Sequence, residues 1–469
     1  MMESSASAYG QATRDPEPLR RWALGSAYAF ALLGSVSISL GQFIQAFMLG
    51  LAVIIIVQHW SALRGSPLLW VTAGFILYVT ARGMVAALLE RPDMATAHWE
   101  ETGKWVRAGP LPILLVAIML AVSGDWLRHS LGILAAWLTG YLVTLASGFS
   151  PTEFQAAIFD GLRYMENVNP WVDGLKLVAI VLALIALAPV WLGRIRAWEL
   201  AWRLAAWLAI MTVAMVGIVI FGSRTIWVAA LAGFTFLATA LLWFGTREPL
   251  ANHARALFAA LVLGASAMAL VTIASWDNIW DRWTDRDSHQ VFQEILTTPP
   301  GKWIEELPNT AEAWRAAYVV AGLGYLRERP WLGYGPADPR YLRFEDPNLP
   351  PLLEGRQGHF HNGHLEILLR FGAIGYAFIL LAVLLTFKEM RTQITHRGTP
   401  RLLSLFVAAF LVTLLVASLG SANLARFNMT HFYGIVLATI WGAALARRIE
   451  QRLPHLHPAP RDNPRSGPS

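Results

Sequence analysis

The sequence predicts an all-α integral membrane protein, a bundle of about twelve transmembrane helices with one large loop domain. Three observations predict it. The chain is 55% hydrophobic and only 14% charged, against roughly 25% charged residues in an ordinary soluble domain. Its apolar residues fall into successive runs near the ~20 residues that a helix needs to cross the hydrocarbon layer. Polar residues gather between these runs, and most heavily in one late stretch, 276–360. Such a chain forms one bundle in lipid, so its length does not translate into several soluble domains.

Residues 1–21 are polar and precede the first apolar run without a small-residue cleavage site, which predicts an uncleaved start-transfer helix and a cytoplasmic N-terminal tail. No Asp, Glu, Lys or Arg occurs between residues 23 and 63. That is too long for one span, so two helices are expected, with a turn around residues 39–42. Further spans are expected near 68–89, 106–122, 130–146, 171–191, 204–221, 225–244 and 256–275, then 365–385, 402–419 and 432–446. Residues 22–275 thus hold helices one to nine, 361–446 hold helices ten to twelve, and 447–469 form a Pro/Arg-rich C-terminal tail. Alternate connections carry most of the basic residues, among them Arg20, Arg21, Arg194, Arg196, Lys388 and Arg391. By the positive-inside rule these connections and both termini are cytoplasmic, and 276–360 lies on the outer, periplasmic side.

That outer stretch contains Trp276, Trp280, Trp283, Trp303, Trp314 and Trp331. It is too aromatic for a disordered linker and is expected to fold against the bundle. A helix is expected at 311–328, ending before the turn at Pro330. The absence of cysteine excludes disulfides, thiolate metal sites and cysteine nucleophiles. The formal charge of +6 is spread between apolar spans, so it reads as membrane orientation and no nucleic-acid partner is expected.

Ionisable groups at membrane depth are costly and are paired or functional. Arg82 is expected to snorkel or to pair with a neighbouring helix, and Glu366 and Arg370, four residues apart, to form a local ion pair. Arg224 lies in the tight turn Gly222-Ser223-Arg224-Thr225 between two apolar runs. A guanidinium there suits a phosphate, which it grips with two parallel charge-assisted bonds, and it equally suits a lipid headgroup. His359, His361 and His364 crowd the junction where the outer stretch enters span ten. Three readings are open there: a metal site without a clear carboxylate partner, a single histidine serving as general base, or polar histidines at the interface.

The motifs around these residues have a common pattern. His361-Asn362 is followed, after nine residues, by Gly372-Ala373-Ile374-Gly375; Trp314-Arg315-Ala316-Ala317 precedes Pro330-Trp331-Leu332-Gly333-Tyr334-Gly335; and Ser223-Arg224 opens a span before the large loop. The set resembles the O-antigen ligase and O-antigen polymerase superfamily, whose members have such motifs in this order. The resemblance implies a type C glycosyltransferase bundle that uses no cofactor and no metal. It moves a glycan from undecaprenyl diphosphate to an acceptor at the periplasmic face of the inner membrane, with inversion. It further implies His361 as general base and Arg224 and Arg315 as diphosphate ligands, with Asn362, Gly372 and Gly375 in support. Arg327 and Arg329 are alternatives to Arg315. With only one large outer loop, the chain is more similar to the ligase, whose acceptor is the lipid A-core oligosaccharide, than to the polymerase. Two other plans compete. A transporter or flippase predicts two similar halves, and the sequence shows no repeat. A metal-dependent oligosaccharyltransferase would carry acidic ligands in its first outer loop, and none is present there.

Overall fold

The computed structural model describes residues 17–159, 169–192, 197–221, 223–245, 273, 310–346, 353, 359–395, 399–425 and 427–452. Among these residues there are helices and turns and no strand. The long helices are α1 (Glu17–Val36), α2 (Ile38–Gln58), α3 (Pro67–Val85), α4 (Ala95–Ala108), α5 (Leu111–Ala121), α6 (Trp126–Ser147) and α7 (Pro151–Phe159). They continue with α8 (Pro170–Ala186), α9 (Ala197–Ile220), α10 (Arg224–Gly245), α11 (Ala311–Glu328), α12 (Gly363–Ile394), α13 (Thr399–Ala417) and α14 (Phe427–Gln451).

Nine helical stretches among the described residues are long and apolar enough to cross a membrane. Two expected spans do not qualify: α1 begins with Glu17, Arg20 and Arg21, and α8 has 17 residues with Asp173 and Lys176 in its first half. The expected span at 256–275 lies outside the described residues except for Ile273, as does most of the expected loop domain. The helix expected at 311–328 is present as α11. The turn expected around 39–42 is not where the chain breaks. Residues 39–42 are helical, and the break is at Ser37, whose hydroxyl caps α2 by accepting from the Leu40 N–H at 3.5 Å. Packing decides this position. A Cβ on Gly41 would lie 3.0 Å from Gly34 Cα, so the two helices cross at a glycine pair that must flank the turn, as small residues do where helices approach closely in lipid.

The chain divides into two compact units. The first takes in Met1–Trp70, Pro112–Tyr141 and Gly434–Ser469. Close contacts at small residues hold it together: Gly132 faces Tyr28, Gly140 faces the Leu32 carbonyl, Gly434 faces Pro112 and Gly442 faces Leu120. In the 18-residue apolar windows of these helices, 94% of the α14 residues are buried and 33% of the α2 residues. The first is therefore core, while α2 presents Phe43 and Val57 as a lipid-facing surface would.

The second unit takes in Val71–Leu111 and Leu142–Tyr433. Its core is formed by α8, α9, α10 and α13, with Gly174 against Ile226, Gly217 against Leu177 and Gly233 against Thr413. Here α12 is kinked at Gly372, whose φ is 62°. A kink frees backbone groups that must find other partners away from water. Five of the groups beside this one do. The carbonyls of Leu369 and Arg370 accept from the N–H groups of Tyr334 (2.7 Å) and Gly335 (2.9 Å), and the Phe371 carbonyl accepts from the Tyr78 hydroxyl. Beyond the kink, the N–H of Ala373 donates to the Pro330 carbonyl at 2.8 Å and that of Ile374 to Trp331 at 3.3 Å. The segment 330–335 thus replaces one turn of helix. A Cβ on Gly372 would lie 2.2 Å from the Trp331 carbonyl carbon, which explains why the two glycine-bearing motifs occur together.

Candidate functional site

The site is built at the start of α12. Asn362 caps the helix, its side-chain oxygen accepting from the N–H groups of His364 and Leu365 at 3.0 Å each. Gly363 donates its N–H to the carbonyls of Ser418 (2.7 Å) and Ser421 (3.1 Å), tying the helix start to the turn after α13. Between Phe360 and this cap the chain turns sharply at His361, the one non-glycine residue with positive φ among those described, at 52°. Such a conformation costs ~1–2 kcal/mol for an ordinary L-residue and persists where the surroundings impose it.

Those surroundings come from α11. The His361 ring stacks on Tyr318, centroids 5.7 Å apart at 24°, and Tyr318 also meets Phe360 edge-on at 6.3 Å. Close packing of Gly322 against Phe360 and Leu365 locks α11 onto the α12 start. Arg315 stands one helical turn before Tyr318 and is partly buried. Arg343, from the short helix Tyr341–Phe344, is 2% exposed and stacks its guanidinium on Tyr318 at 4.5 Å and Phe360 at 5.4 Å. Arg224 opens α10, and its neighbour Thr225 packs against Gly420, in the same turn that caps α12. Both arginines make further contacts. Within the second unit α11 thus packs on the α12 start through Tyr318 and Gly322, and the first turn of α10 packs on the turn after α13 that accepts the Gly363 N–H.

The three histidines have different surroundings. His364 is engaged at both nitrogens: Nε2 to the Leu415 carbonyl at 3.1 Å and Nδ1 to the Tyr376 hydroxyl at 2.9 Å. Because a carbonyl can only accept, Nε2 carries the hydrogen and neutral His364 accepts at Nδ1. That ring is a fastener between α12 and α13. His359 lies 3.5 Å from the Glu366 carboxylate, which also accepts from the Phe360 N–H at 3.2 Å. No cluster of three histidine or acidic side chains suited to a metal ion occurs among the described residues.

The buried charges of the second unit hold backbone. Arg82, 4% exposed, donates to the carbonyls of Leu332 (2.9 Å) and Gly333 (2.8 Å) and pairs with Glu90 at 2.8 Å. Glu90, in the π-helical turn Ala86–Glu90, also takes Arg329 at 2.6 Å. The expected local pair of Glu366 with Arg370 is not what forms. Arg370 instead bonds the Pro336 carbonyl and pairs with Glu101 at 3.1 Å, because the kink turns it toward the 330–338 segment. Burial raises Asp338, but nearby Arg370 and Arg340 outweigh it and hold the carboxyl below its usual range. Burial pushes the Tyr341 hydroxyl up to about 12. It also raises Tyr325, which donates to Asp346 at 2.7 Å, so the phenol stays a hydrogen-bond donor.

Arg329, committed to Glu90, and Arg327, exposed in the last turn of α11, stand apart from this junction. Arg315 lies ~18 Å nearer the helix start than Arg327, at 1.5 Å per residue. Tyr318 and Arg343 belong to the site and sequence reasoning missed both. For Tyr318 a signal existed, since it follows Arg315 by three residues on an expected helix and shares its face. For Arg343 there was none.

No curated protein matches the chain. The family model described as O-antigen ligase matches residues 207–380, a segment that holds Arg224, Arg315, His361 and the Gly372 kink, and so agrees with the superfamily that the motifs resemble.

Proposed function

We propose that the chain is an O-antigen ligase. In this reading it transfers O-antigen polysaccharide from undecaprenyl diphosphate to a sugar hydroxyl of the lipid A-core, at the periplasmic face of the bacterial inner membrane. The family match supports glycosyl transfer in general. The observation that supports the rest is the stacking of His361 on Tyr318, one turn after Arg315, together with the packing of Thr225, beside Arg224, on the turn that accepts the Gly363 N–H.

The chemistry needs a proton acceptor and a charge sink. As the acceptor oxygen attacks the anomeric carbon, its proton passes to a nitrogen of His361. The bond from that carbon to the carrier's phosphate oxygen breaks with its electron pair, and configuration inverts. Arg224 and Arg315 each present a planar pair of donors to the diphosphate, and those bonds strengthen as its charge grows. No divalent cation and no cofactor takes part. Asn362 sets the height of His361 through the helix cap, Gly372 lets α12 bend around the 330–335 turn, and Gly375 makes room for Phe371 and Tyr78 beside the bend.

The decisive measurement is the lipopolysaccharide ladder of a strain lacking the chain, complemented with parent or His361→Ala. Loss of all O-antigen from the core, with carrier-linked polymer accumulating, and failure of His361→Ala to restore it, is the expected result. A core bearing a single repeat unit would identify a polymerase instead. Orientation has its own test. With both termini cytoplasmic and about twelve spans, a cysteine introduced at Asn309 reacts with an impermeant thiol reagent in intact cells, and one at Thr399 does not.

A further inference from the structure

Arg343 is a buried cation beside His361 with no role in the transfer chemistry above. Its guanidinium stacks on the two rings that flank the imidazole: Tyr318, on which His361 lies, and Phe360, which precedes His361 in the chain. From the ring distances of 4.5 Å and 5.7 Å to the Tyr318 centroid, the cation is within about 10 Å of the imidazole. The contact is specific to arginine. A planar, weakly hydrated guanidinium packs on aromatic faces and tolerates burial at 2% exposure, whereas an ammonium is strongly hydrated and does not stack. His361 also sits at a φ of 52°, a strained conformation that needs a firm wedge.

Resting on the reading of His361 as the base, we infer that Arg343 is its positioning residue, wedged on Tyr318 and Phe360 so that Tyr318 is held against the imidazole, and opposing its protonation. A fixed positive charge at ~10 Å, with an effective dielectric constant of about 20, disfavours a second cation by about one pH unit. Other charged or titratable groups also stand near His361 among the described residues. On its own segment stand His359 and the Glu366 carboxylate, which face each other. From α11 come Tyr318 and, one turn earlier, Arg315. Asp346, three residues after Arg343, carries a carboxylate that accepts from Tyr325. The turn after α13 contributes the neutral Ser421 and Asn423.

The test uses the full-length chain in detergent, with transfer from carrier-linked glycan followed as a function of pH and the His361 imidazole followed by NMR of labelled histidine. His361→Asn identifies that signal by its loss. Two variants are compared with the parent, each first checked for a parent-like melting temperature. Arg343→Met keeps bulk and removes charge; the expected result is that the His361 midpoint and the acid limb of the rate profile both rise by about half to one pH unit. Arg343→Lys keeps charge and loses the stack; the limb is expected to stay within a few tenths of a unit while kcat falls about tenfold and KM holds. If Arg343→Met lowers the rate equally at every pH and leaves the midpoint unmoved, or if Arg343→Lys matches the parent in kcat, the inference is overturned. A midpoint that moves as expected while His361→Asn keeps full activity would uphold the role of Arg343 and reject His361 as base. If Arg343→Met does not fold, the lysine variant and the parent's NMR titration decide: a His361 midpoint at or above that of a free histidine excludes the electrostatic half of the role.

Discussion

Two pairs of arginines in the second unit divide sharply by surroundings. Arg82 and Arg370 are 4% and 5% exposed, and each meets a carboxylate together with carbonyls of the 332–336 segment. Arg224 and Arg315 are partly exposed and stand in the first turns of α10 and α11. Arg82, bonded to two carbonyls and a carboxylate, and Arg370, bonded to one carbonyl and paired with Glu101, are fixed by the fold. In the proposed reading Arg224 and Arg315 instead face an incoming anion. Burial separates the two pairs, and position in the sequence does not show it.

The comparison can be broken at either end. The largest effect is expected for Arg82→Met, which leaves Glu90 without its buried partner and the carbonyls of Leu332 and Gly333 unbonded. Loss of one member of a buried pair costs about 3–5 kcal/mol, so thermal unfolding in detergent is expected to show a large drop. A parent-like melting temperature would mean that Arg82 does not anchor the 330–335 turn.

Next come Arg224→Lys and Arg315→Lys, where the opposite signature is expected. Turnover falls by ~100-fold or more, as when a preorganised donor is removed from a transition state, while melting holds, because lysine keeps the charge and loses only the planar fork. Donor binding is expected to weaken less than turnover. Melting losses as large as those of Arg82→Met would place these arginines with the structural pair. An unaffected Arg315→Lys would remove that residue alone from the clamp.

Asp338 gives a smaller effect. Its folded-state carboxyl is held below its usual range, so the stability it contributes is present above the unfolded value of about 4 and is lost as pH falls through the folded value. Protection of the 330–346 amides against hydrogen exchange, relative to the intrinsic rate at each pH, is expected to fall at acid pH in the parent. In Asp338→Asn that protection is expected to be low already at neutral pH, with no further acid step. The smallest effect is expected from chelation: if arginines supply the charge, transfer with excess EDTA runs at the parent rate. Activity that vanishes with EDTA and returns with magnesium or manganese would sink the arginine clamp.

Much of the bundle was legible in the sequence because an apolar run near span length has little choice in lipid: every backbone group must bond within the segment. The helix at 311–328 was legible from the turn at Pro330, which stops it; its start is capped by Thr310, which accepts the Ala313 N–H. The junction of His361-Asn362 was legible as a motif, and Asn362 serves there as a cap, a local role that chain order encodes. The break at Ser37 was misplaced by a few residues, because the glycine pair that sets it only meets once two helices cross. The partner exchange of Arg370 from Glu366 to Glu101, the Tyr318 platform and the burial of Arg343 depend on residues far apart in the chain. Local pattern determined which segments are helical and where the motifs stand. Tertiary structure decided which charged side chains face one another, because that follows from a kink whose freed carbonyls and N–H groups had to be satisfied by another segment.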